Sequence, residues 1–282
     1  MVKCLGIFRE LQNSPNRESD DALVLKAVID QLQLQRVETA LMTPEEADRS
    51  DLTGWDMIIP MCESYPRLKR LMSLQPQMRT LMINPPETVL SCYRTRMIDL
   101  FSKTPGLLFP ESVVLPVTTA SHYPAPSFID AGVWVKRGDV HNTCNHDVVF
   151  ARNMREVEDI RRDFERREIS NLLLQRHVDG DLIKFYGVGP GQWFTWFYHD
   201  PSTARRLPFE LEDLAAQAEL GARALGLEVF GGDAIISPDG PIFIIDINSW
   251  PSFAKVRSEA AIQIARRLRA RLRTLAEGRS QR

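Results

Sequence analysis

Apolar residues in the first 84 positions alternate between compact runs and helical repeats. Residues 4–8 form one apolar run, and Leu23, Leu25, Val28, Ile29 and Leu32 then recur at helical spacing behind Asp20 and Asp21. Residues 37–42 return to an extended pattern and 55–61 form another apolar run. Short buried runs separated by amphipathic helices predict a parallel α/β layer with crossover helices.

Asn84-Pro85-Pro86 punctuates the chain before a helix that carries Tyr93, Arg94 and Arg96. Four prolines (Pro110, Pro116, Pro124 and Pro126) then interrupt the pattern ahead of a short strand at 132–136, which marks the start of a further subdomain. A charged helix is expected at 156–168, with Val157, Ile160 and Phe164 as its apolar positions and a solvated opposite face, followed by a buried strand at 172–174.

The last third is the most regular. Leu211, Leu214, Ala215, Ala218, Ala222 and Leu225 repeat at helical spacing and stop at Gly226. Strands Val229–Ile236 and 242–247 are joined by Ser237-Pro238-Asp239-Gly240, a turn sequence, so they predict a hairpin. A final helix over 259–276 sets Ile262, Leu268, Leu272 and Leu275 against a basic face.

Strict alternation on the second hairpin strand places Ile244, Asp246 and Asn248 on one face and Phe243, Ile245 and Ile247 on the other. A simple register sets Asp233 opposite Ile244, diagonal to Asp246. Three oxygen ligands then converge, and a cluster of acceptors between apolar positions is compensated by a hard cation, for which Mg2+ with its few protein carboxylates is the best fit. Read alone, Asp246 and Asn248 also fit a strand end and an Asx turn before Pro251.

Lys136 closes the apolar strand Val133-Trp134-Val135 and opens the loop Arg137-Gly138-Asp139. There it can reach phosphate oxygens or simply sit in solvent. The loop 139–147 holds His141, Cys144 and His146 without a zinc spacing, so it reads as a cover over substrate. After the strand ending at Gln175-Arg176-His177-Val178, an adenine would meet backbone groups near His177 and Val178, with Asp181 at the ribose hydroxyls and Lys184 near the phosphates; ordinary hairpin chemistry is the alternative.

Composition narrows the partners. The chain has 282 residues, 44% hydrophobic, with a formal net charge of −2, which gives no reason to expect a nucleic acid. No apolar stretch has the length of a membrane span and the opening run is too short for a signal peptide, so a cytoplasmic protein without a membrane partner is expected. Cys4, Cys62, Cys92 and Cys144 lie far apart and read as reduced, mostly packed thiols.

In order and type these segments resemble the ATP-grasp superfamily over nearly the whole chain. Asn84-Pro85-Pro86 looks like the entry to that fold, Val133-Trp134-Val135-Lys136 like its phosphate-lysine strand, and Gln175-Arg176-His177-Val178 like its adenine hinge. The stretch 183–189 is similar to the strand with a further cation, and Gly232-Asp233-Ala234 with 246–251 to its paired metal sites. Three departures stand out: the loop after Lys136 lacks glycines beyond Gly138, Arg176 stands where the hinge has an acid, and Arg94 or Arg96 replaces a lysine.

The resemblance implies a mixed α/β and α+β architecture: an N-terminal parallel α/β domain (1–84), a central region with the lid subdomain (85–174) and a C-terminal subdomain with the metal site (175–282). The two α+β subdomains would sandwich ATP. Arg94, Lys136, Gln175, His177, Val178, Asp181 and Lys184 would bind it, with Lys136 and Lys184 catalytic. Asp233, Asp246 and Asn248 would hold Mg2+, as one ion or two, with Mn2+ as a substitute. His141, Ser252 and Arg257 are expected near a small-molecule acceptor. The implied reaction is activation of a carboxylate as an acyl phosphate for an amine or thiol. Similarity of 183–186 and 246–251 to the inositol trisphosphate kinase branch leaves a small-molecule kinase as an alternative, and the altered loop and hinge leave a non-catalytic nucleotide-binding module as another. Oligomeric state is not legible in the sequence.

Overall fold

The computed structural model describes residues 2–13, 18–78, 80–119, 123–139 and 144–280, excluding the side chains of 18, 275, 276 and 278–280. Its first layer is a parallel sheet of β1 (Lys3–Ile7), β2 (Glu38–Met42), β3 (Met57–Pro60) and β4 (Leu81–Met82), in the order β2-β1-β3-β4. Helices α1 (Glu18–Leu34), α2 (Pro44–Arg49) and α3 (Tyr65–Leu74) connect the strands, and α4 (Pro86–Ser91) and α5 (Arg94–Ser102) lead out of the layer. The alternation of runs and helical repeats follows from this arrangement, since parallel strands need crossovers and are buried on both faces.

The second sheet is antiparallel: β5 (Ser112–Pro116), β6 (Val133–Arg137), β7 (Val148–Ala151) and β8 (Asn171–Arg176), in the order β5-β8-β6-β7. Helix α6 (Met154–Arg166) covers one face, burying Val157 and Phe164 against Val133, Val135, Leu172 and Leu174. Its outer positions form ion pairs within the helix, such as Arg162 with Glu158 at 3.0 Å. Strand β8 spans the expected 174/175 boundary.

The third sheet, β9 (Asp181–Val188), β10 (Trp193–Tyr198), β11 (Val229–Ile236) and β12 (Ile242–Ser249), has the order β10-β9-β11-β12 and is also antiparallel. Helix α7 (Leu211–Leu225) packs beneath it and ends at Gly226, whose left-handed φ of 75° closes the helix. Helix α8 (Arg257–Ser280) returns to the first layer and packs on α1. Among the described residues no helix is long and apolar enough to cross a membrane.

Two cores share the third sheet. On one face, Phe185, Phe230, Ala234, Ile244 and Ile247 pack with α5 and α7. At one end of the other face, Tyr186, Val188, Val229, Trp250 and Phe253 merge with the core of the first layer through α1 and α8. The aromatic residues of β10 divide between the two cores. Asn84 locks the junction: fully buried, it donates to the Val229 carbonyl (2.7 Å) and Ser249 Oγ (2.9 Å) and accepts from the amides of Glu228 (2.7 Å) and Val229 (3.1 Å).

The hairpin departs from the simple register. Ala234 pairs with Ile244, but the next pair is Asp233 with Asp246, so Ile245 is an extra residue in β12, a β-bulge. The bulge shifts the alternation by one, so Ile242, Ile244 and Ile247 all enter the same core. Asp246 and Asn248 therefore lie on the face opposite Ile244, not beside it, and Asp233 faces Asp246 directly rather than diagonally. The core's demand for both Ile244 and Ile247 outweighs strict alternation.

Candidate active site

Across three adjacent strands the register sets Lys184 opposite Asp233 and Asp233 opposite Asp246. Lys184 Nζ lies 2.7 Å from Asp233 Oδ1. Two pairs further along, Gly231 stands between Tyr186 and Asn248, and an added Cβ there would come within 2.6 Å of Tyr186, so glycine keeps this part of the face shallow. Among the described residues no three His, Cys, Asp or Glu side chains cluster as a metal site; the set is two carboxylates and one amide. Asn248 Oδ1 is buried and has no hydrogen-bond partner among the described residues, and a buried orphan acceptor beside two carboxylates suits a hard cation.

The second sheet supplies the opposite wall. Val133 and Val135 face α6, so alternation turns Trp134 and Lys136 to the other side. Lys136 is buried, donates to Gln175 Oε1 at 2.8 Å, and reaches the carbonyl of the bulged Ile245 at 3.5 Å. Gln175 in turn donates to Ser112 Oγ at 3.1 Å. Burial pushes the Lys136 ammonium down to about 8; Arg94 adds to the push, and Asp246 and Asp233 oppose it. The exposed-lysine alternative is thereby set aside.

Arg94, only 2% exposed, opens α5 and donates to the Arg137 carbonyl at 3.1 Å, with Nη2 3.7 Å from Asp246 Oδ2. Arg96 is exposed, so of the two candidate replacements for the family's lysine only Arg94 enters the site. Arg137, the other cation after Lys136, is held by Asp139 (2.8 Å) and by the fully buried Asp147, which also binds Arg167.

On the same face as Lys136, Trp134 and Phe150 are cross-strand partners with ring centroids 5.3 Å apart. His177 lies 5.3 Å from the Phe150 ring, and its Nδ1 accepts a 3.2 Å bond from Trp134 Nε1. These three half-buried rings pack against one another on the face that carries Lys136. Sequence reasoning named His177 but passed over Trp134 and Phe150; the signal was available, since Trp134 is two residues from Lys136 on the same strand.

At the C-terminal ends of β1 and β3 lies a charged network that the sequence did not reveal. Arg9 is bound by Asp21 (2.9 Å) and Glu63 (3.1 Å) and donates to the carbonyls of Trp250 (2.7 Å) and Ser249 (3.2 Å), at the end of β12. Burial pushes the Glu63 carboxyl up to about 7; Arg9 opposes this, and Asp21, Glu10 and Asp246 reinforce it. Arg9, Glu10, Asp21, Lys26, Thr43 and Glu45 line a cavity of about 460 Å³. A second cavity, about 360 Å³, lies under α6, away from this chemistry.

Several expected residues sit elsewhere. Asp181 is buried, and its two oxygens accept the amides of Arg205 and Leu207, each at 2.7 Å, anchoring the loop before α7. Arg257 pairs with Asp20 at 2.5 Å beside the start of α1, and Ser252 is buried in the turn after β12. Val178 is half-buried after β8. His141, and with it the tip of the expected substrate-covering loop, lies outside the described residues. Of the thiols, Cys4, Cys62 and Cys92 are buried and Cys144 is exposed; burial pushes Cys4 up to about 12 and raises the other two buried ones as well.

No protein-family model and no curated protein matches the chain. Solved structures do. The D-alanine–D-alanine ligase of Bacillus anthracis, solved with ATP, superposes with a TM-score of 0.70 at 11% identity over 99% of this chain and 100% of that one. The D-alanine–D-alanine ligase of Coxiella burnetii gives 0.71 at 10% identity over 100% and 98%. A RimK-domain ATP-grasp protein of Sphaerobacter thermophilus gives 0.64 at 13% over 93% and 98%. A parallel α/β layer followed by two facing antiparallel sheets, matched end to end by these structures, means that the chain has the ATP-grasp fold.

Proposed function

We propose that the chain is an ATP- and Mg2+-dependent ligase that activates a small-molecule carboxylate as an acyl phosphate for attack by an amine or thiol. The observation that carries this reading is the meeting of Arg94, Lys136 and Lys184 with Asp233, Asp246 and Asn248 between two sheets. Three cations in a confined space would spread the negative charge of a triphosphate and of the group in transfer. Asp233, Asp246 and Asn248 would hold the divalent ion, Mg2+ or Mn2+, which when bound supplies further neutralisation of phosphate charge.

Trp134, Phe150 and His177 would flank the base, with backbone groups near His177 and Val178 at its edge. The cavity beside Arg9 supports an acceptor site, because Arg9 links its wall to the residues that follow Asn248. Ligands of open parallel sheets bind at these carboxyl ends of strands, and the chemistry needs acceptor and phosphate side by side. No side chain need form a covalent intermediate; the residues position the reactants and stabilise charge. The partner is then a small molecule, and a cytoplasmic location fits the reduced thiols and the use of ATP.

The test is a panel of carboxylic acids, amines, thiols and polyols with ATP and Mg2+, assayed for ADP, free phosphate and product. A ligase releases ADP and phosphate in step with an amide or thioester, and Asp246→Ala abolishes both. Phosphate retained on a polyol would replace the ligase with a kinase, and ATP-dependent thermal stabilisation without turnover by any acceptor would point to a binding module.

A further inference from the structure

The two carboxylates proposed to hold the metal are already held by the cations proposed to hold the phosphates. Lys184 Nζ is 2.7 Å from Asp233 Oδ1, and Arg94 Nη2 is 3.7 Å from Asp246 Oδ2. Neither pairing is a surface accident. Lys184 and Asp233 are cross-strand partners with side chains only 29% and 23% exposed, and the Arg94 and Asp246 side chains are 3% and 16% exposed. Lys136 stands behind both carboxylates, tied to Gln175 and the Ile245 carbonyl, so the half-enclosed group holds three cations against two acids.

That charge balance bears on entry. A divalent cation arriving alone would add positive charge to a group already positive, and would have to displace Lys184 and Arg94 with no new anion to receive their charge. A triphosphate arriving alone would meet Asp233 and Asp246 beside its intended partners. Nucleotide and metal together satisfy every group: the ammonium and guanidinium turn to phosphate oxygens as the carboxylates and the orphaned Asn248 Oδ1 turn to the ion. We propose that Lys184 and Arg94 act as exchangeable counter-ions of Asp233 and Asp246, so that the site takes up a divalent cation only together with a nucleoside triphosphate. This rests on the Mg2+–ATP reading above, and it assigns Lys184 and Arg94 a second role as positioning residues that turn away free divalent ions.

The experiment follows free Mn2+ by its electron paramagnetic resonance signal in titrations of the full chain, with and without a non-hydrolysable ATP analogue. Wild-type protein is expected to leave Mn2+ free until the analogue is added, then bind it. Lys184→Met keeps the length of the side chain and removes its charge, so Asp233 is released. In this variant, Mn2+ affinity without nucleotide should rise by at least about tenfold while affinity for the Mn2+–nucleotide complex falls by at least about tenfold. Lys184→Arg, which preserves the pair, should keep the exclusion, and adding Asp233→Asn to Lys184→Met should abolish the gain. Circular dichroism of each variant confirms the fold, and Lys184→Arg serves the test alone if the methionine variant does not fold. Wild-type protein binding Mn2+ equally well with and without nucleotide, Lys184→Met showing no gain, or Lys184→Arg losing the exclusion would each overturn the exchange while leaving ATP binding intact. Failure of wild-type protein to bind the Mn2+–nucleotide complex would instead overturn the underlying reading.

Discussion

Replacing Lys136 by methionine is expected to stabilise the protein at neutral pH while removing one of the cations proposed to bind nucleotide. The ammonium is buried and pushed from 10.5 to about 8, chiefly by desolvation. At about 1.4 kcal/mol per unit, keeping it charged at pH 7 costs the fold about 3 kcal/mol. Methionine has similar length and no charge, but it leaves Gln175 Oε1 without its 2.8 Å donor, a loss of about 1 kcal/mol. The net gain of about 2 kcal/mol corresponds to a melting temperature higher by about 3 °C. The pH dependence fixes the cause. Between about pH 8 and 10.5 the unfolded chain binds more protons at this site than the folded one, so wild-type stability rises through that window and the advantage of the variant disappears. Thermal melts of both proteins from pH 7 to pH 10 check this, and isothermal titration should show the wild type losing ATP affinity as pH passes about 8, where the folded ammonium deprotonates. Parallel melting curves at every pH, or a variant less stable at pH 7, would refute the argument that Lys136 is held charged at the fold's expense.

Asn84→Ala is expected to lower stability by about 4 kcal/mol in urea denaturation, since four bonds at a buried junction are lost together; a loss under about 1 kcal/mol would mean that water replaces them. Deleting Ile245 should restore regular alternation while keeping Asp246 and Asn248 on the face of Asp233 and Gly231, so affinity for the Mn2+–nucleotide complex is expected to stay within about tenfold of wild type. A loss of more than about a hundredfold in the deletion would show that the pairing of Asp233 with Asp246 does not by itself place these side chains.

Much of the fold was legible because periodicity and turn chemistry agreed. The hairpin around Ser237-Pro238-Asp239-Gly240 and the helix ending at Gly226 lie where alternation and a left-handed cap require them. The bulge was obscured by composition. Ile242, Ile244 and Ile247 carry the shift in phase, but Phe243 and Ile245 are apolar too, so no polar residue marks the change. The loop anchored by Asp181 was hidden for a different reason: the amides it accepts belong to Arg205 and Leu207, and a loop returning from that distance leaves no trace near the carboxylate itself. Arg9 and Glu63 were missed because each looks ordinary at the end of its strand; only folding brings them together with the Ser249 and Trp250 carbonyls. Lys136 needed a second sheet before its burial could be known.

The way the cores are shared bears on motion. The first layer and the third sheet are built around one continuous interior, sealed by Asn84, whereas the second sheet has an interior of its own under α6. Described links from the second sheet to its neighbours are narrow: Arg94 and Thr95 bonding the carbonyls of Arg137 and Gly138, and Lys136 reaching across to Ile245. Swinging that sheet outward breaks a few polar contacts, whereas separating the other two would expose a core. The carboxylates of the hairpin and the Arg9 cavity thus ride on a single chassis, and an outward swing of the second sheet would leave the spacing between them unchanged.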